Sequence, residues 1–146
     1  MKIVSTRRHF RKKIIMKFHH LGIIVKNLKK SLIQLENLLG SNKISKVIID
    51  KTWGVKIVFI QNKKNMIFEI IQPLNKKSPI TNALNKNVNI LNHVAFKSRN
   101  FRIDRNKIID NGAIAVTEAK KAVAFNRKKI QFFLTKENFL IELIEI

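Results

Sequence analysis

The sequence predicts an α+β fold built from two βαβββ modules that are related by a pseudo-twofold axis. The main observation is an internal repeat with a constant offset of 73 residues, which joins residues 17–23 to 90–96 and residues 67–71 to 140–144. The apolar residues between these segments repeat at the same offset, with Ile57, Phe59 and Ile60 matching Ile130, Phe132 and Phe133. Three matches at one offset indicate a duplicated module of about 55 residues.

The first module is predicted to contain a strand, a helix and three further strands. Its four β-rich runs are separated by polar turns and lie at residues 18–25, 46–50, 55–61 and 66–72. After the first run, Asn27 provides a helix N-cap and Gly40 a C-terminal stop. Apolar residues recur between them at helical spacing: Leu28, Leu32, Leu35 and Leu39.

The second module repeats this order. A strand at residues 91–96 is followed by a helix at residues 101–110 that ends near Gly112. Three further strands are expected at residues 113–116, 129–134 and 139–146. Between the modules, Ser78, Pro79 and Ile80 have the pattern of a short capped helix with proline at its first position.

These elements predict one domain over residues 16–146, with module 1 at residues 17–72, a linker at residues 73–89 and module 2 at residues 90–146. Residues 1–15 are interpreted as a basic N-terminal extension, because they contain no acid and lack the apolar core of a signal peptide. An upstream mis-assigned start and an organellar transit peptide are the alternatives for this segment.

The composition excludes several classes of protein. The chain of 146 residues has no cysteine, which rules out a disulfide scaffold, a thiolate zinc site and a cysteine nucleophile. The absence of cysteine also fits a reducing compartment, so we expect a cytoplasmic location. No apolar run approaches the roughly 18 residues that a membrane span needs, so no membrane partner is expected.

The net charge of +21, from 30 Lys and Arg against 9 Asp and Glu, raises the question of a polyanionic partner. The basic residues are spread along the whole chain, and no stripe of them is interleaved with aromatic residues. A solvated surface is therefore favoured, and a nucleic-acid partner is not expected. Attraction of anionic substrates or of an acidic carrier protein is the remaining alternative.

Four polar residues that are costly to bury are repeated at the offset of 73 residues. His20 and His93 lie near the start of the first strand of each module, and Glu69 and Glu142 lie within apolar strands. Burying an ionised carboxylate without a partner costs several kcal/mol. Taken alone, such a histidine is usually a hydrogen-bonded core residue and such a glutamate often pairs with lysine. The shared offset instead favours convergence of all four on the pseudo-twofold axis.

Two imidazoles and two carboxylates at one point form a site for one divalent metal ion. Zn, Co, Ni, Mn and Fe(II) all suit these nitrogen and oxygen donors. The predicted ligands are therefore His20, Glu69, His93 and Glu142. His19 precedes His20 on a strand, so its side chain is expected on the opposite face and is excluded as a ligand.

These segments together resemble the vicinal oxygen chelate superfamily, which includes glyoxalase I, extradiol dioxygenases, fosfomycin-resistance proteins and methylmalonyl-CoA epimerases. Residues 18–28 are similar to the H-x-G-I-x-V-x-D-L opening of the epimerase-like branch, and residues 68–80 to its E-L-L-x-P-L…S-P-I signature. Residues 93–96 match H-x-A-F, and residues 140–143 match L-I-E-L. The resemblance covers residues 17–146 and implies a curved mixed sheet around a metal cavity. Relatives are often dimers, which implies a homodimer.

The resemblance implies a metal-dependent epimerase or isomerase that removes a proton next to a metal-chelated carbonyl. The substrate would be a small acyl compound, either free or linked as a thioester to CoA or a carrier protein. Glu142 would serve both as a ligand and as the catalytic base. Glu69 argues against the dioxygenase and fosfomycin-resistance types, in which the matching position holds no metal. A glyoxalase I-type lyase and a non-catalytic, resistance-type protein that binds a small molecule remain as alternatives.

The chain departs from the epimerase pattern in two places. Epimerases usually carry an acid just before or along the strand that begins at Gly54, where this chain has Thr52 and Trp53, and Asp50 is the nearest carboxylate. Asp50 is either a substitute acid or a turn residue. The second departure is the segment 122–129, which replaces a glycine-rich loop. The candidate substrate-binding residues are Trp53, Asn126 and Arg127, with packing or solvation as their alternative roles.

Overall fold

The computed structural model describes residues 16–87 and 91–146, and in these residues ten strands form one mixed sheet. The strands are β1 (Lys17–Ile24), β2 (Ser41–Ile44), β3 (Ile48–Asp50), β4 (Val55–Asn62), β5 (Ile67–Pro73), β6 (Leu91–Ser98), β7 (Ile114–Ala115), β8 (Lys120–Lys121), β9 (Lys129–Leu134) and β10 (Leu140–Glu145). The helices are α1 (Leu28–Leu39), α2 (Thr81–Asn85) and α3 (Phe101–Asp110), and a 3₁₀ turn spans Val123–Phe125. The predicted α+β class is confirmed.

The sheet has the same strand arrangement on both sides of its centre. Its order is β2-β4-β5-β1-β6-β10-β9-β7, with β3 also pairing β4 and β8 also pairing β9. The central strands β1 and β6 are antiparallel, whereas β5 runs parallel to β1 and β10 parallel to β6. Strands β4 and β9 then pair antiparallel with β5 and β10. The pseudo-twofold axis therefore passes between β1 and β6.

The long helices cover one face of this sheet. Helix α1 is capped at both ends, because the Asn27 side chain accepts a hydrogen bond from the Lys30 N–H at 2.9 Å and Gly40 adopts a left-handed φ of 54°. Its leucines pack on buried residues of β4 and β5, among them Ile60 and Ile70. Full burial of a side chain such as Ile60 or Ile70 contributes about 1.5–3 kcal/mol. None of the described helices is long and apolar enough to cross a membrane.

Helix α3 occupies the corresponding place in the second half of the chain. The Asn100 side chain accepts a hydrogen bond from the Ile103 N–H at 3.3 Å and so caps its first turn. Ile108 packs with Phe133 and Leu143, both of which are fully buried. Because the two helices pack on equivalent strands, the opposite face of the sheet is left to line a cavity.

Two predicted elements differ from the structure. The strand expected at residues 46–50 is shortened to β3, and an additional strand that was not predicted, β2, precedes it; both pair with β4, and between them the Oγ of Ser45 accepts a hydrogen bond from the Phe59 N–H at 2.9 Å. The linker helix begins at Thr81, because Ser78 lies in a preceding turn and its carbonyl accepts a hydrogen bond from the Thr81 N–H. Residues 1–15 lie outside the described residues, and the domain boundaries stay a prediction.

Candidate metal centre

The four residues predicted as ligands lie together at the centre of the sheet. His20 comes from β1, Glu69 from β5, His93 from β6 and Glu142 from β10, and each is at most 3% exposed. The Nε2 atoms of His20 and His93 are 3.0 Å apart. Glu69 Oε2 lies 3.2 Å and 3.3 Å from these two nitrogens, and Glu142 Oε2 lies 3.2 Å and 3.4 Å from them. Four ligand atoms therefore converge on one small volume.

The strand register explains why these side chains meet. Gly22 on β1 lies between Glu69 on β5 and His93 on β6, and Ala95 on β6 lies between Glu142 on β10 and His20 on β1. Gly22 and Ala95 are themselves related by the repeat offset. A Cβ atom at Gly22 would lie 2.1 Å from the Cε1 atom of His93. The small residue thus provides the space that the imidazole occupies, a requirement that the sequence-based prediction missed.

Burial and charge have opposite effects on the protonation of this cluster. Burial acts to lower the pKa of His93, but its interaction with Glu142 and Glu69 outweighs burial and raises the pKa to about 9. The pKa of His20 is raised for the same reasons. Burial acts to raise the pKa of Glu69, but His20 and His93 lower it to about 2, and the pKa of Glu142 is lowered as well. The carboxylates are therefore ionised at neutral pH.

The chemistry of the donor set fits a cation. The Oε2 atom of Glu142 is buried at 3.2 Å and 3.4 Å from the two Nε2 atoms, yet it receives no hydrogen bond of acceptable geometry from the described residues. Bonds of about 2.0–2.2 Å to a shared ion place neighbouring ligand atoms about 3 Å apart in octahedral coordination, close to the spacings seen here. All four ligand atoms lie within 4.8 Å of one another. The cluster is therefore consistent with a divalent metal site.

The cluster borders a cavity of about 260 Å³, here called the cluster cavity. Its walls come from both halves of the sheet and are mostly apolar; they include Trp53, Ile57, Ile71, Ile80, Phe125, Ile130, Phe132 and Leu140. Three of the 9 acids of the chain line it, namely Asp50, Glu69 and Glu142. None of the described residues that line it is Lys or Arg, although the chain has 30 of them. The cavity is thus a small acidic volume inside a strongly basic protein.

Two residues near the predicted acid position have defined places in the structure. Asp50 is buried in the cavity wall and accepts hydrogen bonds from the Trp53 N–H at 3.2 Å and the Val123 N–H at 2.8 Å. It therefore joins the turn after β3 to the 3₁₀ turn, as expected of a turn residue. Trp53 packs edge-to-face against Phe132, with ring centroids 5.5 Å apart. Thr52 is exposed.

The 3₁₀ turn brings an aromatic ring to the cluster. Phe125 stacks on His20 with ring centroids 5.9 Å apart and an interplanar angle of 12°. Sequence reasoning missed Phe125, because an aromatic residue in a loop gives no signal of its partner. Asn126 and Arg127 follow with left-handed φ angles of 52° and 61°, conformations that glycine adopts at lower cost. This strained pair occupies the segment where relatives were expected to have glycines.

A larger pocket of about 650 Å³ shares Phe125 with the cluster cavity, but none of the four clustered residues lines it. It is lined by Asn126 and by three lysines: Lys43, Lys97 and Lys128. The side chain of Arg127 is exposed and lines neither this pocket nor the cluster cavity. Of the three candidate substrate-binding residues, the structure therefore places only Trp53 beside the cluster. Their contact with a substrate stays a prediction.

The expectation that His19 points away from His20 is wrong. The pairing of β1 with β6 shifts register between Phe18 and His20, and the extra residue, His19, turns towards the cluster side. Its Nδ1 atom lies 2.8 Å from Nδ1 of His20. Burial, together with the nearby charges of His20 and Lys97, lowers the pKa of His19 to about 4. The simple alternation of side chains along a strand fails here because of the bulge.

Comparison with known proteins identifies the family. A family model described as the glyoxalase/bleomycin resistance protein/dioxygenase superfamily matches residues 19–132. The mitochondrial methylmalonyl-CoA epimerase of Mus musculus is 30% identical over 106 residues, which cover 72% of this chain and 52% of the relative. The human enzyme is 29% identical over 106 residues, which cover 72% and 53% of the two chains. This chain spans about half the length of these curated relatives.

Solved structures show the same fold. Methylmalonyl-CoA epimerase from Mycobacterium tuberculosis superposes with a TM-score of 0.78 at 20% identity, covering 94% of this chain and 92% of that chain. A variant of the Streptomyces coelicolor epimerase in complex with 2-nitronate-propionyl-CoA has a TM-score of 0.74 at 18% identity, covering 89% and 96%. The superfamily resemblance indicated by the sequence motifs is confirmed by the family model that matches residues 19–132.

Metal affinity is expected to rise with pH. A coordinating imidazole must be neutral, and the pKa of His93 in the metal-free protein is raised to about 9, so protons compete with a cation below that pH. We expect the association constant to increase by about tenfold per pH unit for each proton released between about pH 6.5 and 8.5. Chelator competition at three pH values measures this slope. A flat or falling affinity would contradict the assigned protonation.

Substitution of Gly22 by alanine is expected to displace the His93 ring, since the new Cβ would lie 2.1 Å from Cε1. Metal affinity should fall by about 10- to 100-fold, the range for a disturbed ligand orientation. Gly40→Ala is the matched control, because no atom lies within 4 Å of the point where its new Cβ would stand; it should lower stability through its φ of 54° but leave metal affinity unchanged. Equal metal affinity in both variants would show that Gly22 has no role at the site.

Proposed function

Because the chain belongs to the glyoxalase/bleomycin resistance protein/dioxygenase superfamily, we propose that it is a metal-dependent enzyme that removes a proton next to the carbonyl of a small acyl substrate. The observation that carries this proposal is the acidic cluster cavity. Its described lining includes His93 and three of the 9 acids, yet no Lys or Arg. Such a donor set is suited to a cation and leaves an apolar space beside it for a ligand.

The proposed ligands are His20, Glu69, His93 and Glu142, with Zn, Co, Ni, Mn or Fe(II) as the bound ion. A divalent ion, when bound there, supplies Lewis acidity that polarises a carbonyl and stabilises the negative charge that develops when a neighbouring proton leaves. Four protein donors leave room for a chelating substrate on an ion that takes six ligands. The two histidines and two glutamates come in equal numbers from the two halves of the chain.

Glu142 is proposed as the catalytic base. It borders the cluster cavity, and its lowered pKa keeps it ionised at neutral pH, as a base must be before it accepts a proton. Because Glu142 is also a proposed ligand, its carboxylate would have to detach from the ion before it accepts a proton. Glu69 shares the cavity, which makes it the natural comparison in an experiment.

The cavity favours a particular class of substrate. Its volume of about 260 Å³ accommodates a small acyl group but not a complete CoA molecule, and its apolar walls favour an apolar substituent next to the carbonyl. The net charge of +21 attracts an anionic carrier outside the cavity, such as the phosphates of CoA or an acidic carrier protein. Acyl thioesters combine both properties, and the curated relatives bear the name methylmalonyl-CoA epimerase.

Inversion of a carbon centre needs a second proton donor on the opposite face. The residues of strand β4 that line the cavity are Val55 and Ile57, and neither has an acidic side chain. Thr52 is exposed, and both carboxylate oxygens of Asp50 already accept backbone hydrogen bonds. Glu69, the remaining acid in the described lining of the cavity, is assigned only as a ligand, so we infer that Glu142 acts as a single base, which favours proton exchange or proton transfer on one face over rapid inversion. A glyoxalase-type reaction uses the same chemistry and is the second candidate function.

Purified protein is expected to bind one divalent ion per chain, and His93→Ala should abolish this stoichiometric binding because it removes one of four donors. Elemental analysis after dialysis against each candidate metal measures the ratio of metal to protein. Glu36→Ala is the control, since Glu36 is an exposed carboxylate on α1. Full metal content in the His93 variant would mean that the ligand assignment is wrong.

Metal-loaded protein in deuterated water is expected to exchange the proton next to the carbonyl of suitable acyl thioesters while inverting the centre slowly or not at all. Glu142→Gln should abolish exchange, whereas Glu69→Gln, which also removes one carboxylate donor, should retain it in proportion to its metal content. Mass spectrometry follows exchange, and chiral analysis follows inversion. Rapid inversion of methylmalonyl-CoA would contradict the single-base proposal. No exchange across a panel of thioesters would favour the glyoxalase-type or binding-protein alternatives.

A further inference from the structure

Each histidine of the cluster is preceded by the extra residue of a β-bulge. On β1, Phe18 pairs with Phe96 and His20 with Ala95, so His19 has no partner in the ladder. On β6, the residues that pair with Gly22 and Ile23 are His93 and Leu91, so Asn92 is the residue passed over. The two bulges lie at the same offset of 73 residues as the histidines that follow them. The duplication therefore preserves a local interruption of the central strand pair.

The bulges bring the side chains of His19 and Asn92 beside the histidines that follow them. His19 Nδ1 lies 2.8 Å from Nδ1 of His20, and Asn92 Oδ1 lies 2.9 Å from Nδ1 of His93. In a regular strand, neighbouring side chains point to opposite faces and cannot form such contacts. Bulges near functional sites commonly re-aim a side chain in this way. Both contacts involve the ring nitrogen that faces away from the cluster.

The contacts at Nδ1 determine which nitrogen of each imidazole can bind a metal ion. The Nε2 atoms of His20 and His93 face the cluster, so a neutral ring that offers the Nε2 lone pair carries its proton on Nδ1. That N–H needs an acceptor in a buried place. Nδ1 of His19 and Oδ1 of Asn92 are the acceptors within hydrogen-bond distance. Each therefore selects the tautomer and fixes the orientation of the ring that follows it.

We propose that His19 and Asn92 are positioning residues, each accepting the Nδ1 proton of the adjacent histidine so that both Nε2 atoms are presented to a metal ion. The inference rests on the metal site of the proposed function. It adds two residues of different chemical type, imidazole and amide, that serve one role at equivalent positions of the repeat. Because the Asn92 amide and the His19 imidazole accept the same kind of hydrogen bond, we expect the His19→Asn variant to keep this positioning role.

Aromatic packing is the competing explanation for His19. Its ring contacts Phe125 edge-to-face with centroids 5.8 Å apart and Phe59 with centroids 6.5 Å apart. His19→Phe retains an aromatic ring but removes the acceptor, whereas His19→Asn retains an acceptor but removes the ring. The two substitutions therefore separate hydrogen bonding from packing.

The experiment measures the dissociation constant of Co²⁺ or Zn²⁺ for the full chain by chelator competition, together with the absorption spectrum of the Co²⁺ form. We expect His19→Phe to weaken binding by about 10- to 100-fold and to alter the spectrum, as loss of an outer hydrogen bond to a ligand does. The dissociation constant of His19→Asn should remain within about threefold of the wild-type value, a much smaller change than that expected for His19→Phe. The reverse order, or equal losses in both variants, would overturn the inference in favour of packing.

Asn92 provides an independent pair of variants if a substitution at His19 prevents folding. Asn92→Leu removes the acceptor at similar volume and should weaken metal binding by about 10- to 100-fold, whereas Asn92→Asp retains an acceptor and should not. Unchanged affinity in Asn92→Leu would overturn the inference. A wild-type chain that binds no metal would instead overturn the proposed function, so the two failures are distinguishable.

Discussion

The structure depends on how two buried carboxylates are accommodated at the centre of a sheet. Glu69 and Glu142 are almost completely removed from water, and an ionised carboxylate without compensation in such a place costs several kcal/mol. His20 and His93 are the positive partners available to them in the metal-free chain, at 3.2–3.4 Å. The apolar walls of the cavity strengthen this attraction because they keep the local polarity low.

This requirement explains features that surround the cluster. The central strand β1 carries Gly22 where a larger side chain would collide with the imidazole of His93, and apolar residues pack both under α1 and α3 and around the cavity on the other face. Asp50 joins one half of the chain to the 3₁₀ turn of the other, which holds Phe125 against His20. The site is thus supported mainly by backbone register and by small residues, with few side-chain ion pairs elsewhere in the described chain.

Much of this arrangement can be predicted from the sequence, because duplication leaves a signal that does not depend on knowing the fold. His20, Glu69, His93 and Glu142 stand out as costly residues repeated at one offset, and the caps at Asn27 and Gly40 follow from local chemistry. The orientation of His19 could not be obtained in this way. It depends on a shift in the pairing of β1 with β6, and strand periodicity alone contains no information about register.

The loop residues show a second limit. Phe125 stacks on His20 from a turn in which the next two residues, Asn126 and Arg127, adopt left-handed conformations that are uncommon for residues other than glycine. The additional strand β2, which precedes the expected strand at residues 46–50, is likewise defined by its pairing with β4. Local sequence patterns identified the element types and the clustered residues, whereas long-range contacts determined their final positions.

The equal division of the four donors between the halves has a consequence for the assembly of the fold. Each half contributes one imidazole and one carboxylate, so a cation held by all four would act as a cross-link between sequences 73 residues apart. Its binding free energy would then add to the cohesion of the two halves, by about 2.7 kcal/mol at a free concentration about one hundred times the dissociation constant. An isolated half would retain only two donors, and two such halves would have to associate before a complete coordination shell existed. Occupancy of the site and integrity of the duplicated fold would therefore be thermodynamically linked.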